Sequence, residues 1–253
     1  MSRIISVISG KGGVGKTTFA LNLGAALSQH FKKSVTVVDC NLTASHLGLH
    51  LGMYYCPTTI NKVLRKEISV VDSIHPHFSG LKVIPASISV HELKGVDISK
   101  LKDVVRDISE KNDLVILDAS PGLGREAMSA IKASDELIYI TTPHIPSIMD
   151  IIRCHEIAEE VNAKPLGVVV NMVGKDKYEM RKHEIEYFTG LPVISVIPYD
   201  KNVSKSLHNK VPITISHPKS PASKEIIKFA SNLIGIEYKH ERNIIEFIKS
   251  IFK

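Results

Sequence analysis

Gly10-Lys11-Gly12-Gly13-Val14-Gly15-Lys16-Thr17-Thr18 is the stretch that decides the fold. A run of β-type residues precedes it at positions 4–8, and a helical pattern follows at 17–29. Strand, glycine-rich loop and helix in that order satisfy the template G-x-x-x-x-G-K-[ST], with Gly10, Gly15, Lys16 and Thr17 at its marked positions. The glycines permit a tight turn that aims successive backbone N–H groups at phosphate oxygens. Lys16 supplies a cation for β- and γ-phosphates, Thr17 a hydroxyl for a Mg²⁺ shell, and the helix N-terminus its dipole. ATP and Mg²⁺ are the ligands this predicts.

Working outward, β-rich runs recur at 35–38, 82–84, 114–117, 137–140, 167–170 and 193–197. Helical patterns lie between or after them at 98–109, 125–133, 147–161, 178–189 and 220–233. Alternation of this kind predicts an α/β fold, a doubly wound, mostly parallel sheet flanked by helices. Several runs are apolar on both faces, as strands covered from two sides require. Residues 208–221, with Pro212, Pro218 and Pro221, read as a surface loop.

Ligands of such sheets bind beyond the carboxyl ends of the strands. Asp39 follows the second run and would hold Mg²⁺-bound water. Asp118 ends the apolar run before Ala119-Ser120-Pro121-Gly122, the logic of a strand-end carboxylate that positions Mg²⁺ indirectly. Gly122 would let backbone approach the γ-phosphate. An Asp after a strand also serves as a turn former or helix cap.

The additional lysine, Lys11, makes the loop resemble the deviant Walker A motif of the MinD/ParA group of P-loop ATPases. The resemblance spans nearly all of residues 3–235 and looks most like the archaeal branch. It includes Asp39-Cys40-Asn41-Leu42-Thr43 with His46-Leu47-Gly48, and Asp118 through Ala127. It also includes Thr141-Thr142-Pro143 with Pro146-Ser147, and Ile197-Pro198-Tyr199-Asp200. It implies an ATP-held homodimer in which Lys11 reaches the partner's phosphates; a solvated loop cation is the plainer reading. It further implies that Gly12, Gly13, Val14 and Thr18 join the phosphate site, Thr18 at the α-phosphate. Asn171 would bond the adenine, and Pro198 would line the base pocket. Paired cysteines of the related iron–sulfur carriers are missing.

One position departs from the family. The usual pattern after the second strand is Asp-x-Asp, whose second carboxylate is credited with orienting the attacking water; here it is Asn41. An amide orients water but lacks the basicity to take its proton. The expectation is a slow ATPase, or one that hydrolyses ATP only with a partner.

The last eleven residues carry Ile244, Ile245, Phe247, Ile248, Ile251 and Phe252. At about 100° per residue these six fall within an arc of roughly 160°, opposite Glu246, Lys249 and Lys253. That is the pattern of an interfacial helix on an anionic membrane, an element the resembling family commonly carries. A single copy binds weakly, and two on a dimer bind far better. Packing on the chain's own domain, or self-association, is the other reading. The expected division is an ATPase domain at 1–235 and a linker with membrane-targeting tail at 236–253.

The chain's 253 residues suffice for one α/β domain, and its net charge of +6 favours anionic partners without choosing among them. Cys40, Cys56 and Cys154 form no metal spacing and suit a reducing cytosol. Neither a signal peptide nor a membrane-spanning run is found, so the expected location is cytoplasmic, peripheral at the inner face of the cell membrane. His75-Pro76-His77 reads as loop rather than metal site. Lys175, Lys177, Arg181 and Lys182 read as a solvated face, or as a nonspecific DNA surface of the ParA kind. Two alternatives stand beside a membrane-bound switch that places a division site or polar structure. One is a nonhydrolytic ATP-binding scaffold, the other a ParA-like DNA-segregation ATPase.

Overall fold

A computed structural model describes residues 2–161 and 163–237. The six apolar tail residues, Ile244 to Phe252, lie outside the described residues. The strands are β1 (Arg3–Ile8), β2 (Val35–Cys40), β3 (His75–Pro76), β4 (Lys82–Ile84), β5 (Leu114–Ala119), β6 (Glu136–Thr141), β7 (Lys164–Val173) and β8 (Val193–Pro198). They form one sheet in the order β3-β4-β2-β5-β1-β6-β7-β8. Every pairing is parallel except β3 with β4 at the edge. The expected doubly wound sheet is present.

Helices α1 (Lys16–Phe31), α2 (Leu47–His50), α3 (Ile60–Leu64), α4 (Leu101–Ser109), α5 (Arg125–Ala133) and α6 (Ile145–Glu160) connect the first strands. After β7 come α7 (Lys182–Thr189), α8 (Lys201–His208), α9 (Ile213–Ser216) and α10 (Pro221–Leu233).

The period of two in the central strands builds two cores. Ile4, Ile8, Val38, Val115 and Leu117 join one buried cluster, which holds residues of α4 to α7. Ile5, Val7, Val37, Leu114 and Ile116 join the other, with α1 and α10. Side chains that alternate across a strand must find cover on both faces, which is why polar residues are few in these runs. Phe19 of α1 and Phe229 of α10 meet with ring centroids 5.7 Å apart on the second face.

Four expectations need correction. Residues 208–221 are not a surface loop: they contain α9, where Ile213 and Thr214 are fully buried. Thr214 N–H donates to Asn22 Oδ1 at 3.1 Å, so the segment is clamped to α1. Two of its prolines stand at helix starts, Pro212 as the cap of α9 and Pro221 in the first turn of α10, while Pro218 lies in the turn between them. The helix expected at 178–189 begins only at Lys182, where the Glu184 carboxylate accepts the Arg181 N–H at 2.6 Å. His75 and Pro76 form the short edge strand β3, and His75 Nε2 lies 2.9 Å from the Thr58 carbonyl oxygen. Asp39 lies within β2 rather than after it, because the pairing of β2 with β5 continues to Cys40 and Ala119; Asp118 stands one residue before the end of β5.

Candidate nucleotide-binding site

The loop from Ser9 to Gly15 joins the centre of the sheet to α1. Gly13 and Gly15 hold φ of +81° and +88°, a region L side chains rarely enter. A Cβ on Gly15 would stand 2.4 Å from Asn171 Nδ2, so the loop and the end of β7 touch here. Behind the loop, Gly122 N–H donates to the Ser9 carbonyl at 2.9 Å, and α6 presses Asp150 against Gly10. Val14 is buried beneath the turn, whereas Lys11, Gly12 and Gly13 face solvent.

The two lysines of the loop have opposite surroundings. Lys16 is buried, and its Nζ lies 2.7 Å from Asp118 Oδ1. Lys11 is exposed and makes no ion pair among the described residues. Thr17 and Thr18 are half-buried in the first turn of α1.

Asp39 and Asp118 are register partners in the β2–β5 ladder, and both are buried. Burial, and then the neighbouring Asp118, lifts the Asp39 carboxyl to about 7. It accepts the Asn41 N–H at 3.0 Å and the Ser45 hydroxyl at 2.7 Å. One buried ammonium thus faces two buried carboxyl groups. That donor set suits a divalent cation carried mostly by phosphate and water, with Thr17 in reach of the same turn. No cluster of three or more His, Cys, Asp or Glu among the described residues could hold a metal alone.

Asn41 is 7% exposed and tied at both ends of its amide. Nδ2 donates to the Ala44 carbonyl at 2.7 Å, and Oδ1 accepts the Ser120 hydroxyl at 3.3 Å. It therefore links the loops that leave β2 and β5. Thr43 in the same segment donates through N–H and hydroxyl to Glu126 of α5.

Beside the loop lies an apolar cavity lined by Thr18, Phe19, Asn171, Pro198, Tyr199 and Leu207, among others. Asn171 Nδ2 donates to the Val14 carbonyl at 2.8 Å. Asp200 caps α8 through Asn202 N–H at 2.9 Å and holds the start of α10 through Ala222 N–H at 3.2 Å. One carboxylate thus sets both helices that wall the cavity. The fold brings every site residue predicted from the sequence to one end of the sheet.

Two neighbours escaped the sequence reading. Ser45 bonds Asp39, and His50 Nε2 lies 3.5 Å from Thr18 Oγ1. Ser45 sits in irregular chain after β2 and His50 ends the one-turn helix α2, where periodicity offers no signal; only a polar residue shortly after the strand-end Asp marked Ser45.

A parallel sheet with a glycine cradle, a buried lysine and strand-end carboxylates defines a P-loop nucleotide-binding domain. Residues 5–213 match the model of the CobQ/CobB/MinD/ParA nucleotide binding domain, and the chain belongs to that family. ATP with Mg²⁺ is the cofactor pair the site is built to take. The chain is 35% identical to an ATP-binding protein of Methanocaldococcus jannaschii, over 100% of this chain and 97% of that one. The fold is similar to the cell division ATPase MinD of Pyrococcus furiosus, with TM-score 0.89 and 30% identity over 93% of this chain and 99% of that one. It is also similar to the septum site-determining protein MinD of Pyrococcus horikoshii in complex with Mg-ADP. There the TM-score is 0.88 and the identity 29%, over 92% and 96% of the two chains.

Proposed function

We propose that this chain is a nucleotide-switched ATPase that dimerises around Mg·ATP, binds an anionic membrane through its tail and so positions a cellular machinery. The carrying observation is the contrast between the two lysines. Lys16 is buried on its own site's carboxylate, while Lys11 stands exposed at the loop tip with no ion pair among the described residues. A cation held out in solvent beside a phosphate cradle suits a role on a second subunit's nucleotide.

In this reading Gly10, Gly12, Gly13, Val14, Gly15 and Lys16 hold the phosphates. Thr17 ligates Mg²⁺, with Asp39 and Asp118 in its outer shell. Thr18 contacts the α-phosphate, Gly122 senses the γ-phosphate, and Asn171 with Pro198 receives the adenine. Asn41 places the attacking water through its carbonyl oxygen, which makes hydrolysis slow until a partner rearranges the loop. The ATPase domain is residues 1–235 and the tail residues 236–253; among the described residues, 2–161 and 163–237, no helix is long and apolar enough to cross a membrane. A peripheral attachment at the inner face of the cell membrane follows from that tail.

The DNA-segregation reading rests on Lys175, Lys177, Arg181 and Lys182, which line one surface groove. The same groove holds Asp176 and Glu179, and Lys182 pairs with Glu186 at 3.7 Å, which weakens its appeal to a polyanion.

Liposome co-sedimentation of the full chain with ADP, ATP and a nonhydrolysable analogue tests the proposal. The analogue should bring the chain down with anionic vesicles, and Phe247→Glu with Ile248→Glu should abolish this. Sedimentation that ignores the nucleotide or the charge substitutions would overturn it.

A further inference from the structure

On the flank of the phosphate loop, a histidine's protonation sets the direction of one hydrogen bond. His50 ends α2, and its Nδ1 lies 2.8 Å from the His46 carbonyl oxygen. A carbonyl only accepts, so Nδ1 carries a proton, and a neutral ring then offers Nε2 as a bare acceptor. Nε2 faces Thr18 Oγ1 at 3.5 Å. A threonine hydroxyl has one proton to give. While His50 is neutral, Nε2 is an acceptor that competes with a phosphate for that proton. Once Nε2 is protonated the bond reverses. The ring donates to Oγ1, and the hydroxyl proton is released to another acceptor.

Thr18 is well placed for such an acceptor. It stands in the first turn of α1 and lines the cavity together with Gly15 and Asn171, so a nucleotide reaching from loop to cavity passes its hydroxyl. Burial holds His50 below the usual imidazole range. The charged groups around it are Asp118 of β5, which favours the cation, and His46 with Lys210, which oppose it. Lys210 comes from the turn after α8, where its side chain packs against Gly52. A phosphate beside Thr18 adds negative charge on the side of Asp118.

We propose that His50 is a positioning residue for the nucleotide: its protonation turns the Thr18 hydroxyl from His50 to the α-phosphate, so that binding takes up a proton. This rests on the Mg·ATP reading of the loop. A histidine protonated by its ligand makes affinity highest at low pH, and the gain is lost as pH rises through the bound-state value.

The test is calorimetry of the full chain with Mg²⁺ and a nonhydrolysable ATP analogue, from pH 6 to 8.5, in two buffers of different ionisation heat. Wild type and His50→Gln are compared. Protonation of the analogue and of Asp39 is common to both proteins and cancels in the difference. Wild type should take up a larger fraction of a proton at the acid end of this range, and the difference should fade toward pH 8. Its affinity should weaken more than the variant's between pH 6 and pH 8, by up to about tenfold, the ceiling a one-unit shift on a single group sets. Equal proton uptake and equal slopes would overturn the proposal. The ¹⁵N signal of the His50 ring in wild type gives a second reading that needs no altered fold. Nε2 should change from acceptor to protonated when the analogue is added, and an unchanged signal would overturn the proposal. No binding heat in wild type at any pH would instead bring down the Mg·ATP reading itself.

Discussion

Lys16 Nζ rests 2.7 Å from Asp118 Oδ1, and both groups are buried. The cation meant for phosphate thus sits on a strand-end carboxylate whose ladder partner is a second buried acid, Asp39. A nucleotide entering the loop competes with Asp118 for that ammonium, and a Mg²⁺ arriving with it compensates the two carboxyl groups. The site thus sets one buried ammonium against two buried carboxyl groups.

Replacing Lys16 by Met should remove Mg·ATP binding and also destabilise the chain. Leaving a buried charge unpaired costs about 3–5 kcal/mol. Urea unfolding at pH 8 checks this, with a smaller loss expected at pH 6. The sign follows from Asp39. Its folded value is raised to about 7, so the cost of its charge is present above that pH and fades as protonation neutralises it below.

Asp39→Asn should separate stability from function. The amide removes a buried charge, and Ser45 can turn its hydroxyl to the Ala86 carbonyl, 3.0 Å away. The nucleotide-free variant should gain about 1–2 kcal/mol at pH 8, or roughly 3–6 °C in melting temperature for a chain of this size. The gain should shrink toward pH 5, where wild-type Asp39 is itself neutral. Mg²⁺-dependent tightening of ATP should be lost, as calorimetry with and without the metal will read. Equal thermal shifts at both pH values would refute the charge argument.

The loop glycines should differ from each other. Gly13→Ala and Gly15→Ala both strain a positive φ, at about 1–2 kcal/mol. A Cβ on Gly13 meets nothing within 4 Å, whereas one on Gly15 collides with Asn171 Nδ2. Gly15→Ala should therefore cost more stability and should weaken adenine recognition as well, seen as a reduced preference for ATP over GTP in competition binding.

Asn41→Asp should raise turnover by about tenfold or more, since a positioned acid–base group is worth about 10²–10⁴ in rate. The carboxylate cannot donate to the Ala44 carbonyl that Asn41 Nδ2 now holds at 2.7 Å, so the side chain is released toward the water site. Phosphate release under saturating Mg·ATP measures it. A rate equal to wild type would show that the position has no part in hydrolysis.

The central architecture was legible because its signals are local. Apolar runs such as 114–117 and the glycine loop announce buried parallel strands and a phosphate turn through backbone and burial preferences alone. The segments misread or missed are those whose structure depends on distant partners. Ile213 and Thr214 look like loop until Asn22, some 190 positions earlier, takes up the Thr214 N–H. α2 and α3 are each about one turn long, too short for periodicity to register.

By itself, the sequence determined the parallel sheet, the phosphate loop and the two strand-end acids, since each follows from residue type at fixed spacing along the chain. Only the tertiary structure decided which charges meet. It paired Lys16 with Asp118, buried Asp39 beside them, left Lys11 in solvent and set His50 against Thr18. Those contacts depend on distance and on exclusion of water, and neither exists until strands far apart in the chain lie side by side.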